Sequence, residues 1–566
     1  MFTRLSSGYP RPSTSSRSCP RLSAACLGRY AAVWAVCGLS AALGAQSAAP
    51  FNDSIRVADL RADLFFLAGD GFKGRLVGTP ENALAAEWVR SRFERAGLKP
   101  GAPNGSFVQN TQLMVATLGE GNRLDVTLPD GITLLLRNEQ DFYPQRFSAS
   151  GTVQAAVVYA GFGIHAPRLQ YDDYGERVKG RIALILEHEP GERDPASPFD
   201  GVVTAEPAVA IKKVLAAQEK GAIGVLFVTD VHNHPAAQNF AASARAFWPP
   251  EAPRIDRFTL ASWGDRVRIP VGQISPALAD TLVGGTGRSL MELSKAAETT
   301  RGYAGLPIDG VQVTLTTSVR RHVVADRNVL AMVEGTDPAL RDEVVIVSAH
   351  YDHEGADGAI VYNGADDDGS GTVALLEIAD AYAMAMAAGQ RPRRSVLFAC
   401  WGSEERGPLL GAWGYTEEPT FPLARTVAVL NMDMVGRNEE VQVGGGPRFN
   451  GLEVQTAESN RNAINILGYS RHPELSGLVE RVNKGAYDLE LKLRYDNNTS
   501  NLLRRSDQWP FLQNGVPALW FHTGLHPDYH TQYDRPEKIN YEKMEKIARL
   551  VHQASWVLAN QDGRPK

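Results

Sequence analysis

Four runs in the second half of the chain are almost continuously apolar: VVIVSA (344–349), SVLFACW (395–401), TVAVLNM (426–432) and GVPALWF (515–521). Runs of this kind predict strands buried on both faces, as in a parallel sheet covered by helices. TVALLEIADAYAMAMA (372–387) lies between the first two and has the spacing of an amphipathic helix. Earlier, Leu60, Leu64 and Leu67 share one helical face. After a break at Gly78–Pro80, Ala85, Val89 and Phe93 share another. From Gly151 to about Val228 the pattern changes: VQAAVVYAGFG, RIALILEH and GAIGVLFVT alternate with turns and one helix, AVAIKKVLAAQEKGA. The expectation is an α/β fold, a three-layer α/β/α domain on a mostly parallel sheet, carrying an inserted smaller α/β or β-rich domain. The segments read as 52–135 for the first part of the main domain, 136–320 for the insert and 321–560 for the main body.

Composition narrows the function classes. The chain has 566 residues, 43% hydrophobic and 22% charged, with a formal net charge of −6. That balance suits globular domains and supplies no basic stripe for nucleic acid. Before Asp53 the charge is all positive, from Arg4 to Arg29, and the apolar run YAAVWAVCGLSAALG ends in small residues. This order predicts a secretory signal over 1–45, hence a secreted or periplasmic protein with no stable membrane insertion once the leader is removed. Cys19, Cys26 and Cys37 fall in the leader. Cys400, in the apolar run SVLFAC, is left without a disulfide partner and reads as a buried small hydrophobe.

The candidate chemistry sits at the ends of the four apolar runs. VVIVSA runs into His350, with Asp352 two residues on. SVLFACW leads to Glu404 and Glu405, TVAVLNM to Asp433, and GVPALWF to a loop holding His530. Asp366, Asp367 and Asp368 precede the helix between the first two strands. Taken singly, a strand-end histidine is a hydrogen-bonded polar residue, and Asp-Asp-Asp-Gly is a capped turn. Their joint occurrence at consecutive strand ends is different, because clustered carboxylates need a cation to offset their charge. Imidazole and carboxylate donors together suit zinc or another divalent first-row metal.

SAHYDHEG, NGADDDGSGTVALLE, SEERGPLLGAWGY, NMDMVGR and PDYHTQYDRPEKIN follow one another in an order that resembles the M28 family of zinc peptidases. FLAGDGFKGRLVGTPENALAAEWVRSRFERAGLKPG resembles that family's N-terminal helical region, and the stretch with VVYAGFG, DDYGERVKGRIALI and EKGAIGVLFV resembles a protease-associated (PA) insert. The resemblance implies a zinc-exopeptidase fold with two Zn2+ per chain, held by His350, Asp366, Glu405, Asp433 and His530. Asp366 bridges in this reading, His350 and Asp433 complete one ion, and Glu405 and His530 complete the other. Glu404 matches the general base, Asp352 the partner of the first histidine, and Tyr529 a tyrosine that hydrogen-bonds the reacting carbonyl in some members. Asp367 matches the position whose peptide link to the bridging aspartate is often cis. His353, His522 and His526 read as pocket-lining or supporting groups, with His353 in reserve for His350. Trp401, Trp413, Trp509 and Trp520 read chiefly as core, with a pocket wall as the other use. Many relatives have Ser-Asp-His where this chain has Ser506-Asp507-Gln508, which bears on pocket detail.

The activity so implied is metal-dependent removal of N-terminal residues from peptide or protein substrates. Carboxypeptidase or dipeptidase action is open within the same family. A glutaminyl cyclase with one zinc, or a non-catalytic binding protein on the same fold, is disfavoured by the complete ligand set and an intact Glu404. Side-chain preference and oligomeric state are not encoded in these motifs.

Overall fold

The computed structural model describes residues 48–235, 239–299, 301–405 and 409–565. The expected leader and its three cysteines lie outside them. Among the described residues no helix is long and apolar enough to cross a membrane.

The main sheet takes its strands from widely separated segments: β1 (Val108–Leu118), β2 (Phe258–Leu260), β3 (Val319–Val333), β4 (Val344–His350), β5 (Ser395–Trp401), β6 (Thr426–Met432), β7 (Ala463–Leu467), β8 (Glu490–Lys492) and β9 (Ala518–His522). Their order is β2-β1-β3-β5-β4-β6-β9-β7-β8, and Lys99–Pro100 adds a short pairing to β3. The central four, β5-β4-β6-β9, are parallel; β3 and β7 flank them antiparallel. The four apolar runs are thus the four central strands, which are covered on both faces as continuous hydrophobicity requires.

Alternation along β4 divides two cores. Val345 and Val347 face helices α1 (Val57–Leu67), α2 (Pro80–Arg95), α3 (Gly371–Ala387), α5 (Pro473–Asn483) and α7 (Tyr541–Asn560). Val344 and Ile346 face α4 (Leu410–Glu417) and α6 (Gln508–Gln513) through Ala412, Tyr415 and Phe511. The result is the expected three-layer arrangement. Helix α2 begins where Gly78–Pro80 breaks the pattern: Thr79 caps it, accepting from the Asn82 amide at 3.2 Å, with Pro80 in the first turn. Arg75, fully buried just before it, donates to the backbone oxygens of Leu67, Tyr351, Asn363 and Gly364. One guanidinium therefore ties the N-terminal helices to the loops after β4. Cys400 is buried, and burial pushes its thiol up to about 12, so it is an inert core residue.

A second sheet of eight strands lies between β1 and β3 in sequence. Four of its strands, Gly151–Tyr159, Ile182–Leu186, Gly224–Val228 and Val271–Ile274, run parallel. It begins at Arg123, ahead of the boundary expected at 136, because the hairpin Arg123–Thr127/Thr133–Leu136 joins this sheet and not the first. The switch occurs where β1 ends at Leu118, opposite Val319 of β3.

Candidate metal centre

The loops after β4, β5, β6 and β9 meet beyond the carboxyl ends of the parallel strands, where open α/β sheets bind their ligands. His350 ends β4 and is fully buried. Its Nε2 lies 3.4 Å from Asp367 Oδ1, 3.7 Å from Asp433 Oδ1 and 3.8 Å from Glu404 Oε2. A second group lies against it. His530 Nε2 is 2.9 Å from Asp367 Oδ2 and 3.0 Å from Glu405 Oε2. His353 Nδ1 is 2.6 Å from Glu405 Oε1 and 3.8 Å from Asp367 Oδ2. Asp367 faces one group with each oxygen.

The aspartate expected to bridge, Asp366, does not. Residues 367 and 368 break the helical run, with φ/ψ of −106°/101° and −116°/54°, and the three neighbouring aspartates take separate partners. Asp367 projects into the cluster. Asp366 points away from it and accepts from the Gly436 amide at 2.7 Å. Asp368 also holds backbone, accepting from the amides of His350, Gly371 and Met434. The cis peptide joins Asp367 to Asp368, one residue later than expected. Asp534 fixes the loop from outside by accepting from the amides of Asp366 and Asp367.

Asp352 lies 3.6 Å from His350 Nδ1, too far for a hydrogen bond. It accepts instead from the Glu404 and Glu405 amides at 3.0 and 3.3 Å, and so positions the segment that carries both glutamates. Tyr529 lines the cleft with Glu404, Asp367, Asp433, Trp520 and Leu525. Its hydroxyl accepts from Arg505 at 3.0 Å, and its ring lies over His530 at 3.8 Å. Arg505, one residue before Ser506-Asp507, was not singled out from the sequence; a lone arginine in a polar loop carries no periodic signal. Gln508 is buried outside the cleft and donates to the Leu503 carbonyl, which steadies the turn bearing Arg505. Trp520 donates to the Asp433 carbonyl at 2.9 Å and walls the cleft, whereas Trp401 and Trp509 are core. His522 faces the Asp433 carbonyl and His526 faces Asp366, both as supporting groups.

The donor set fits divalent cations. His350 Nδ1 and Nε2, Asp367 Oδ2 and His530 Nε2 are buried without hydrogen-bond partners. The cluster draws positive charge: burial disfavours protonated His350, yet Glu404, Asp352, Asp367 and Asp433 hold its pKa well above the ordinary value. His530 is raised in the same way against its burial, first by Glu405. Four-coordinate donors at ~2 Å from one ion lie roughly 3.3 Å apart, within the spread observed here.

The second sheet's segment touches this region in two places. Arg254 donates to the Glu354 carbonyl at 2.6 Å, and Glu354 Oε1 lies 3.0 Å from His530 Nδ1. The loop before Thr204 meets the segment leading to Arg505: Thr204 N donates to Asn501 Oδ1 at 2.9 Å, and Arg504 donates to the Thr204 carbonyl at 3.0 Å.

Residues 328–555 match the model of Peptidase family M28. The chain is 25% identical to "Probable glutamate carboxypeptidase AMP1" of Arabidopsis thaliana, over 69% of this chain and 51% of that protein. It is 37% identical to "Aminopeptidase NAALADL1" of Mus musculus over 24% of this chain and 18% of that one. It thus spans about half the length, or less, of these curated relatives. Among solved structures, an aminopeptidase from Aneurinibacillus sp. strain AM-1 is similar at 18% identity and a TM-score of 0.46, covering 91% of this chain and 97% of that one.

Proposed function

We propose that this protein is an exported exopeptidase that removes N-terminal residues from peptide or protein substrates, with two Zn2+ in the cleft. The observation that carries this reading is Asp367 set between two donor groups, His350 with Asp433 and Glu405 with His530, with Glu404 at their edge. Imidazole and carboxylate donors of this kind suit zinc. When bound, the two ions supply Lewis-acid polarisation of the scissile carbonyl and make a water acidic enough to attack at neutral pH.

The chain's own residues do the rest. Glu404, held by Asp352 through its amide, accepts the proton of the attacking water and returns it to the leaving amine. Tyr529, with Arg505 behind its hydroxyl, donates to the carbonyl oxygen as negative charge develops there. Trp520 and Leu525 wall off water on the apolar side.

A second reading, release of C-terminal residues, is favoured by Arg505, a guanidinium lining the cleft that suits a substrate carboxylate. Matched peptides blocked at either end separate the two. Cleavage confined to peptides with a free amino terminus supports the first reading; cleavage only of N-blocked peptides overturns it in favour of the second.

A further inference from the structure

The second sheet carries a cluster of metal-type donors of its own. Strands Ile182–Leu186 and Gly224–Val228 are parallel neighbours, and the loops beyond their carboxyl ends bring His188 and His234 together. The two rings stack at 4.0 Å and 21°. Glu192, one turn on from His188, reaches both: Oε2 lies 3.2 Å from His188 Nδ1, and Oε1 lies 2.7 Å from His234 Nε2. The last pair is close yet does not meet hydrogen-bond geometry, so two buried ligand-type atoms converge in an ion-pair contact and neither makes a hydrogen bond.

The surroundings hold this geometry in place. Glu298 clamps both loops, accepting from the Gly191 amide at 2.8 Å and from Asn233 Nδ2 at 2.6 Å. Asp230 accepts from Asn233 Nδ2 at 2.8 Å and from the His232 amide at 3.0 Å. Left-handed backbone at His188, with φ of 65°, turns its ring towards Glu192. Arg193 approaches Glu192 at 3.8 Å from the solvent side, a contact that a cation must outcompete. A cavity of about 350 Å³, bordered by Tyr143, Thr229 and Phe240, opens beside the two histidines.

We propose that His188, Glu192 and His234 form a further metal site, separate from the cleft, for a borderline divalent ion of the zinc class. Two imidazoles and a carboxylate supply three ligands, and the fourth position opens towards solvent or the adjoining cavity. The ion clasps the loop that starts at His188. The same loop goes on to grip the segment leading to Arg505, through Asn497 and Asn501, and to pair Asp200 with Arg471 at 2.8 Å. Its role is therefore to brace the inserted segment against the cleft wall.

The test is a difference in metal content and does not depend on how many ions the cleft holds. Full-length protein, His188→Ala/His234→Ala and Glu192→Gln are loaded with zinc, dialysed, and measured by elemental analysis and zinc titration calorimetry. The double variant is expected to bind one ion fewer per chain than the parent, and Glu192→Gln to bind that ion roughly tenfold or more weakly. Glu192→Gln keeps the shape of the loop, and its circular dichroism reports whether the fold is retained. Equal zinc stoichiometry and affinity in parent and folded variants overturns the proposal. So does a change in pH stability between them that is unaccompanied by any change in metal binding.

Discussion

Asp366, Asp367 and Asp368 are chemically identical neighbours with different partners, and substitution separates their roles. Asp367 is the residue both donor groups share, so Asp367→Asn is expected to lower bound metal and abolish peptidase activity together. Asp366 accepts from the Gly436 amide inside the fold, so Asp366→Asn is expected to keep its metal and cost roughly 1–3 kcal/mol of stability. Elemental analysis beside urea unfolding distinguishes the two; metal loss confined to Asp366→Asn contradicts the assignment. Glu404→Gln is expected to retain metal while kcat falls by about 10²–10⁴. Single-residue legibility follows the same division. His350 and Asp433 were readable because each ends or follows a continuous apolar run, and a strand end is a definite place. Which of three aspartates turns inward depends on backbone angles in an irregular loop, and residue type does not encode that. His188, Glu192 and His234 escaped notice for a related reason: two polar loops about forty residues apart show their common geometry only after the strands pair.

At the scale of elements, the long C-terminal helix α7 contains a group with a definite pH signature. His552 is buried against Tyr382, and burial lowers its pKa to about 3. Both folded and unfolded chains carry it neutral above the usual value of 6.5, so its contribution is complete there. Below that the unfolded chain gains a proton that the folded chain refuses, and stability drains away as pH falls towards 3. By pH 5 the loss amounts to roughly 2 kcal/mol. His552→Gln should flatten the fall in urea midpoint between pH 7 and 5; an unchanged slope would place the acid sensitivity elsewhere. The four central strands and the helix α3 were legible as elements because their patterns are long and unbroken. The start of the second sheet was not, since the Arg123–Leu136 hairpin has the alternation of any half-exposed strand pair and nothing local states which sheet it joins.

For the whole molecule, the buried carboxylates of the cleft couple metal content to stability. Ions that bind the folded chain and not the unfolded one raise its melting temperature by mass action, so chelation should lower it by roughly several degrees, and zinc should restore it. A melting curve indifferent to chelator would mean that the cluster balances its charge by protonation alone. The arrangement of the two sheets has one more effect. β1 is eleven residues long and would be the outermost strand of the main sheet, but Phe258–Leu260, a short strand contributed by the inserted segment, pairs along part of it. A long, flat border of unpaired amides invites other chains to add on, and natural proteins cover or shorten such borders. The segment that leaves the main sheet at Leu118 and returns at Val319 thus also acts as a guard rail: joining those two paired residues directly by a tight turn would spare the cleft's strands yet expose a template for self-association.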